Sequence, residues 1–386
     1  MSTLARIFER RIVVCVGSGG VGKTTVAASI GVRAARMGLK ALVVTIDPAR
    51  RLANSLGLES LGNVETRIGD DRFRRAGLEV KGELWAMMLD VKRTSDELIS
   101  RSAPSREQAE KIFRNRFYQT FSTVLAGSQE YMAMEKLAEL HERGGFDLVI
   151  LDTPPTAHAL DFLEAPNKLI DVFGNDSLRW LATPALAAGK IGMRALGFGS
   201  GYLVRQLSKF TGIETLQALA EFLLSMRGMY DTFKERASTV KALLTSDETR
   251  FVLVTAPAAL PMDEARYFLS VLRQYEIPVG AVVVNRIHPD WDAAVGEEQL
   301  TAAALRRYFE PSLAERLALT LEEQRALAAA DRRQVMALRS WLEEAIPIRC
   351  APSFGADIHD LEGLDALGAY LFDGRGVVPP AALPPV

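Results

Sequence analysis

The sequence predicts an α/β fold: a doubly wound, mostly parallel sheet carrying helical insertions. Three observations predict it. Short runs rich in β-branched residues recur along the chain, separated by long helix-like stretches. The first run leads through glycines directly into a helical pattern, and a second buried-strand run follows, a strand–loop–helix–strand order that calls for right-handed parallel crossovers. The runs end beside polar residues or proline, where an open parallel sheet places its ligands.

In chain order, "RIVVCVG" is the first strand and "KTTVAASIGVRAARMG" a helix closed by Gly38. "KALVVTIDP" is a second strand stopped by Pro48. Further strands are expected at Leu84–Asp90, Phe146–Asp152, Arg250–Ala256, Val279–Asn285 and Ile346–Cys350. Helical insertions are expected at about 91–143, 162–249 and 289–345. No internal repeat occurs, so one domain over 1–373 is expected, followed by a proline-rich, disordered tail at 374–386.

Composition narrows the class. The chain has 386 residues, with 48% hydrophobic and 24% charged, ordinary for a globular protein with a sizeable core. A net charge of −2 points to no nucleic-acid partner. The two cysteines, Cys15 and Cys350, lie far apart, which excludes a disulfide framework and any Cys-x-x-Cys site. No zinc or iron–sulfur cluster is therefore expected, and a cytoplasmic location fits. The first apolar run is too short for a signal-peptide core, and no uncharged apolar run of membrane-spanning length occurs.

The sharpest chemical signal is "GSGGVGKTT", Gly17–Thr25. Gly17, Gly22, Lys23 and Thr24 satisfy the G-x-x-x-x-G-K-[ST] pattern of a P-loop NTPase, and the required strand and helix flank it. Glycines turn backbone amides inward and the helix N-terminus adds positive potential. The whole run, Gly17, Ser18, Gly19, Gly20, Val21, Gly22, Lys23, Thr24 and Thr25, is expected to bind ATP phosphates. Lys23 reaches the β and γ phosphates and serves catalysis, Thr24 joins the Mg²⁺ shell, and Thr25 donates to the α phosphate. Hydrolysis also needs positioned water and a held metal. Asp47 ends the second strand and Asp152 ends "DLVILD". Asp152 is expected in the Mg²⁺ shell and Asp47 in catalysis. The alternative for each is a loop cap, a common use of aspartate.

With these residues in view, the chain resembles the arsenical-pump ATPase family, which includes the ATPase that targets tail-anchored membrane proteins. "GSGGVGKTT", "TIDPARRLANSLG", "ELWAMMLDVKRTSDELI", "AGSQEYMAMEKL", "DLVILDTPPTAHALDFLEAP" and "VVVNRIHP" occur in that family's order and spacing, from about Ile12 to Leu371. The match looks best to its bacterial single-half branch. The resemblance implies that Asp47, in the first switch "DPARRL", activates water, and that the second switch "DTPPTAH" places Asp152 near the metal. It implies that Asn285 hydrogen-bonds adenine and that Pro352, Ser353 and Phe354 lie beside the base. Ordinary core packing is the equal alternative for Phe354. It also implies a dimer that closes on two ATP molecules.

The chain departs from that family at one telling position. Its signature lysine, which reaches the partner's phosphates, is Ser18 here. Serine supplies no charge, so slow hydrolysis is expected. A lysine-bearing paralogue in a heterodimer could donate the cation, or Arg50 or Arg51 could, planar guanidinium suiting phosphate. Solvated loop charges are the equal alternative for both arginines.

The second insertion is apolar. Thr215–Leu244 places apolar or small residues at 216, 219, 223, 226, 230, 233, 237, 240 and 244, a heptad seam. Ser177–Ile213 has no acidic residue and five basic ones. Two readings stand level: a nucleotide-gated surface at 177–245 for a hydrophobic client or an anionic membrane face, or an insertion packed on itself and its dimer mate. The expected function is thus an ATP-hydrolysing dimeric switch, homodimer or heterodimer, handling a hydrophobic or membrane-protein client. The other reading is a nucleotide-binding regulatory subunit paired with a lysine-bearing homologue.

Overall fold

The computed structural model describes residues 3–47, 51–116, 118–119, 128–153, 218, 221–222, 225, 229–289, 291 and 301–374. The chain divides into two compact units, one of 1–88, 141–159 and 244–386, the other of 89–140 and 160–243.

The first unit is built on an eight-stranded sheet. Its strands are β1 (Ile12–Gly17), β2 (Lys40–Thr45), β3 (Thr66–Arg67), β4 (Glu83–Met88), β5 (Leu148–Asp152), β6 (Thr249–Thr255), β7 (Val279–Ile287) and β8 (Ile348–Pro352). Their spatial order is β3-β4-β2-β5-β1-β6-β7-β8, and every pairing is parallel except β3 against β4. All seven strands read from the sequence are present within two residues of their expected starts. The two-residue antiparallel β3 and a short 3-10 helix at Thr3–Glu9 are additions that carry no periodic signal.

The central strands are apolar up to their polar ends because both faces are covered. β1 and β5 are buried at every position. Fully burying one such Val, Ile or Leu contributes about 1.5–3 kcal/mol. Helix α1 (Lys23–Arg36) follows β1 and buries Val26, Ala27, Ile30 and Ala34. The remaining helices of this unit include α2 (Arg51–Ser55) and α3 (Asp70–Arg75). Gly17, at the end of β1, has φ 145°, and a Cβ there would lie 2.0 Å from the Val254 carbonyl oxygen of β6. Only glycine lets β1 run into the loop at this spacing.

The second unit carries α4 (Val91–Ser102) and α5 (Arg106–Arg114), together with most of α6 (Ser128–Arg143) and α7 (Tyr230–Thr245). Asp90 and Ser105 cap α4 and α5 with side-chain hydrogen bonds. The seam's described apolar residues face inward: Phe233, Ala237, Val240 and Leu244 are buried, as are Phe222 and Met229. The expectation for 177–213 lies outside the described residues, as does that for the tail beyond Gly374. In the first unit the chain continues through α8 (Ala259–Gln274), α9 (Ala302–Leu305), α10 (Pro311–Arg339) and α11 (Leu361–Phe372). Among the described residues no helix is long and apolar enough to cross a membrane.

Candidate functional site

The site lies in the first unit, at the carboxyl ends of β1, β2, β5, β7 and β8. Strand β1 sits where the winding reverses, with β5 on one side and β6 on the other. Ligands of doubly wound sheets bind outside such a point.

The phosphate loop ends at Gly22, the N-cap of α1, in a left-handed conformation at φ 96° and ψ 26°. No side chain caps this helix, and its first turn carries no acidic residue. The orphan N–H groups of the first turn are thus left for an anion. A Cβ at Gly22 would lie 2.3 Å from Asn285 Nδ2, so glycine is required by space as well as by φ. Lys23 is buried, and its Nζ donates to the carbonyls of Gly17 at 2.9 Å and Ser18 at 2.7 Å. Burial lowers its pKa, opposed chiefly by the charge of Asp152. The ammonium is folded onto its own loop, from which it can swing to a phosphate. Ser18 is itself buried.

The acidic wall is held by Thr45, a residue the sequence reading did not single out. Thr45 ends β2 beside Asp152 in the β2–β5 register. Its Oγ1 donates to Asp152 Oδ2 at 2.8 Å and accepts from the Asp47 N–H at 3.2 Å. One hydroxyl thereby fixes both aspartates relative to each other. Thr153 Oγ1 donates to the Cys15 carbonyl at 2.8 Å and ties the end of β5 to β1. Burial pushes the Asp152 carboxyl up to about 6, against the downward pull of the Thr24 and Thr45 hydroxyls and of Lys23. Asp152 Oδ1 is buried with no hydrogen-bond partner. A buried, orphaned carboxylate oxygen beside the Thr24 hydroxyl fits the oxygen-rich, water-sharing shell of Mg²⁺.

A cavity of about 520 Å³ opens over these groups, within the range of small-molecule sites. Gly20, Gly22, Lys23, Thr24 and Thr25 form its floor. Asp47, Arg51, Asn54, Ser55 and Thr153 line one part of it, and Arg286, Asp357, Ile358 and His359 another. Arg51 Nε stands 3.7 Å from Asp47 Oδ2. Pro48, Ala49 and Arg50 of the first switch and Pro154–His158 of the second lie outside the described residues.

Asn285, Pro352, Ser353 and Phe354, expected beside the base, lie on or just after β7 and β8. Asn285 Nδ2 donates to the Val21 carbonyl at 2.9 Å, so the amide braces the phosphate loop itself. Pro352 ends β8, and the Ser353 N–H donates to the Ile287 carbonyl at 2.8 Å. Phe354 packs edge-on against Tyr370 of α11, with ring centroids 5.9 Å apart. The same loop instead presents Asp357, Ile358 and His359 to the cavity. They lie within "APSFGADIHDLEGL", but nothing in the pattern of that stretch says which residues turn inward.

A glycine-rich loop after the central strand, an uncapped helix N-terminus and two aspartates at neighbouring strand ends define a P-loop nucleoside triphosphatase. The model of the anion-transporting ATPase family matches residues 10–303, and the chain belongs to that family. It is an ATPase of the same kind as several curated relatives. It is 28% identical over 276 residues to the protein named ATPase get3 of Schizosaccharomyces japonicus, covering 72% of this chain and 74% of that one. It is 26% identical over 295 residues to ATPase GET3C of Arabidopsis thaliana, covering 74% and 69%. It is 27% identical over 306 residues to ATPase ARSA1 of Chlamydomonas reinhardtii, covering 72% of this chain but 35% of that one.

Proposed function

We propose that this ATPase is a Mg²⁺-ATP-driven dimeric switch that handles a hydrophobic or membrane-protein client, turning over slowly because position 18 is serine. The observation that carries the reading is the acidic wall. Asp47 and Asp152 are held together by Thr45 at the edge of a cavity whose floor is the phosphate loop. In this reading Lys23 leaves the Gly17 and Ser18 carbonyls for the β and γ phosphates and neutralises charge as it develops. Asp47 orients the attacking water. Thr24 and Asp152 would hold Mg²⁺, which offsets phosphate charge when bound. Asn285 keeps the loop in register through Val21, and its remaining amide capacity faces the base.

A charge contributed across a dimer can be worth roughly 10³–10⁵ in rate. Ser18 provides none. The two separated cysteines favour a cytoplasmic location, and the basic, acid-free stretch 177–213 within 177–245 supports contact with an anionic membrane face. The buried seam residues Phe233, Ala237 and Val240 support packing for the described end of the insertion.

Light scattering of the full chain with Mg-ADP and with a Mg-bound, non-hydrolysable ATP analogue tests the switch. A two-chain species favoured by the ATP analogue is expected, together with changed protease cleavage within 177–245. A chain that stays monomeric and is cleaved identically in both states would contradict the reading. Dimerisation only with an added lysine-bearing homologue would select the regulatory-subunit alternative, which Ser18 favours.

A further inference from the structure

Arg286, immediately after Asn285, is held with φ 62°, in the left-handed region. A non-glycine residue sits there at a cost and persists only where its surroundings over-determine it. Here they do. Asn285 is bonded to the Val21 carbonyl. The Ile287 carbonyl accepts from the Ser353 N–H. Buried Asp331 uses one oxygen, Oδ2, to accept from both the His288 N–H and the ring Nδ1, each at 2.8 Å. The β7–β8 register shifts between Val284 and Ile287, across the same residue. Every neighbour is fastened, and the exposed Arg286 side chain makes no hydrogen bond or ion pair with a described residue. It lines the cavity above the phosphate loop.

The other cations of that cavity are engaged. Lys23 is bonded to loop carbonyls and Arg51 lies near Asp47. We propose that Arg286 binds the phosphate chain of the nucleotide from within the same subunit, a phosphate contact additional to the loop. The guanidinium fork matches phosphate oxygens in pairs. Asn285 packs against Gly22, so the backbone of Arg286 emerges beside the phosphate loop. This rests on the nucleotide reading of the cavity. It concerns ground-state binding and leaves the charge missing at position 18 unreplaced across the dimer.

Calorimetric titration of the full chain with Mg-ADP, a Mg-bound ATP analogue and adenosine tests it in wild type, Arg286→Gly and Arg286→Lys. Arg286→Gly should weaken both nucleotides by about tenfold or more, the scale of a charge-assisted hydrogen bond, and leave adenosine unchanged. Arg286→Lys should fall between. Glycine accepts φ 62° without strain, so its melting temperature should not drop. If it does drop, Arg286→Asn, also tolerant of this φ, is expected to show the same selective loss. Unchanged nucleotide affinity in the glycine and asparagine variants would overturn the proposal. An equal loss for adenosine would do so too, by placing Arg286 on the base. Wild type that binds no nucleotide would instead sink the reading of the cavity, and this inference with it.

Discussion

Asp152→Asn is expected to abolish Mg²⁺-dependent hydrolysis while making the ligand-free chain more stable above neutral pH. The carboxyl is 1% exposed, and burial lifts its pKa from 3.8 to about 6. The sign follows from linkage. A group whose folded pKa lies above its unfolded value favours the protonated fold. Its contribution is therefore present below pH 3.8 and lost as pH rises through about 6. Above that the fold holds a buried carboxylate, at a cost of up to about 3 kcal/mol at 1.36 kcal/mol per unit. Asparagine mimics the protonated state at every pH. It keeps one oxygen to accept from Thr45 and puts an amide where Oδ1 now has no partner. Chemical denaturation should show the gain at about pH 8 and little difference at about pH 4. The same shift predicts that protons compete with Mg²⁺, so Mg²⁺-dependent nucleotide binding should weaken below about pH 6. A variant that loses stability at the alkaline end, or keeps Mg²⁺-dependent turnover, would refute this role for Asp152.

Lys23→Met should lower hydrolysis by about 10²–10³ or more, the scale of losing one preorganised transition-state donor. The substitution isolates the charge. Lys23 is 6% exposed, and methionine fills the space of its stem. The carbonyls of Gly17 and Ser18 lose a donor, which costs about 1–3 kcal/mol each where water does not replace it. Removing a buried ammonium returns part of that. Melting temperature should therefore move by a few degrees only, while nucleotide affinity and turnover both fall. Turnover within about threefold of wild type at saturating nucleotide would show that Lys23 does not reach the phosphates.

The contrast between these two residues and their neighbours shows what was legible in the sequence. β1, β2 and β5 are visible because buried parallel strands must be continuously apolar, and the glycines and Lys23 because a phosphate loop demands those types at that spacing. Asp152 is visible as a polar stop on an apolar strand. Thr45 is not, since its role comes from lying beside Asp152 across two strands 107 residues apart in sequence. Arg286 is equally silent: its left-handed backbone arises from a register shift between β7 and β8. Phe354 and His359 lie in one short loop. The fold turns the first against Tyr370 and the second to the cavity, a choice made by tertiary packing. Two-residue β3 has too few positions to show a period at all.

A nearly complete phosphate loop that lacks one charge, at Ser18, is the feature on which the proposed slow turnover depends. Steady-state phosphate release from Mg-ATP, measured for wild type and Ser18→Lys at matched concentrations, tests it most directly. Slow, Mg²⁺-dependent release is predicted from wild type, and a rate at least about tenfold higher from Ser18→Lys, a fraction of what a trans cation can supply. Equal rates for the two proteins, or a faster wild type, would contradict it.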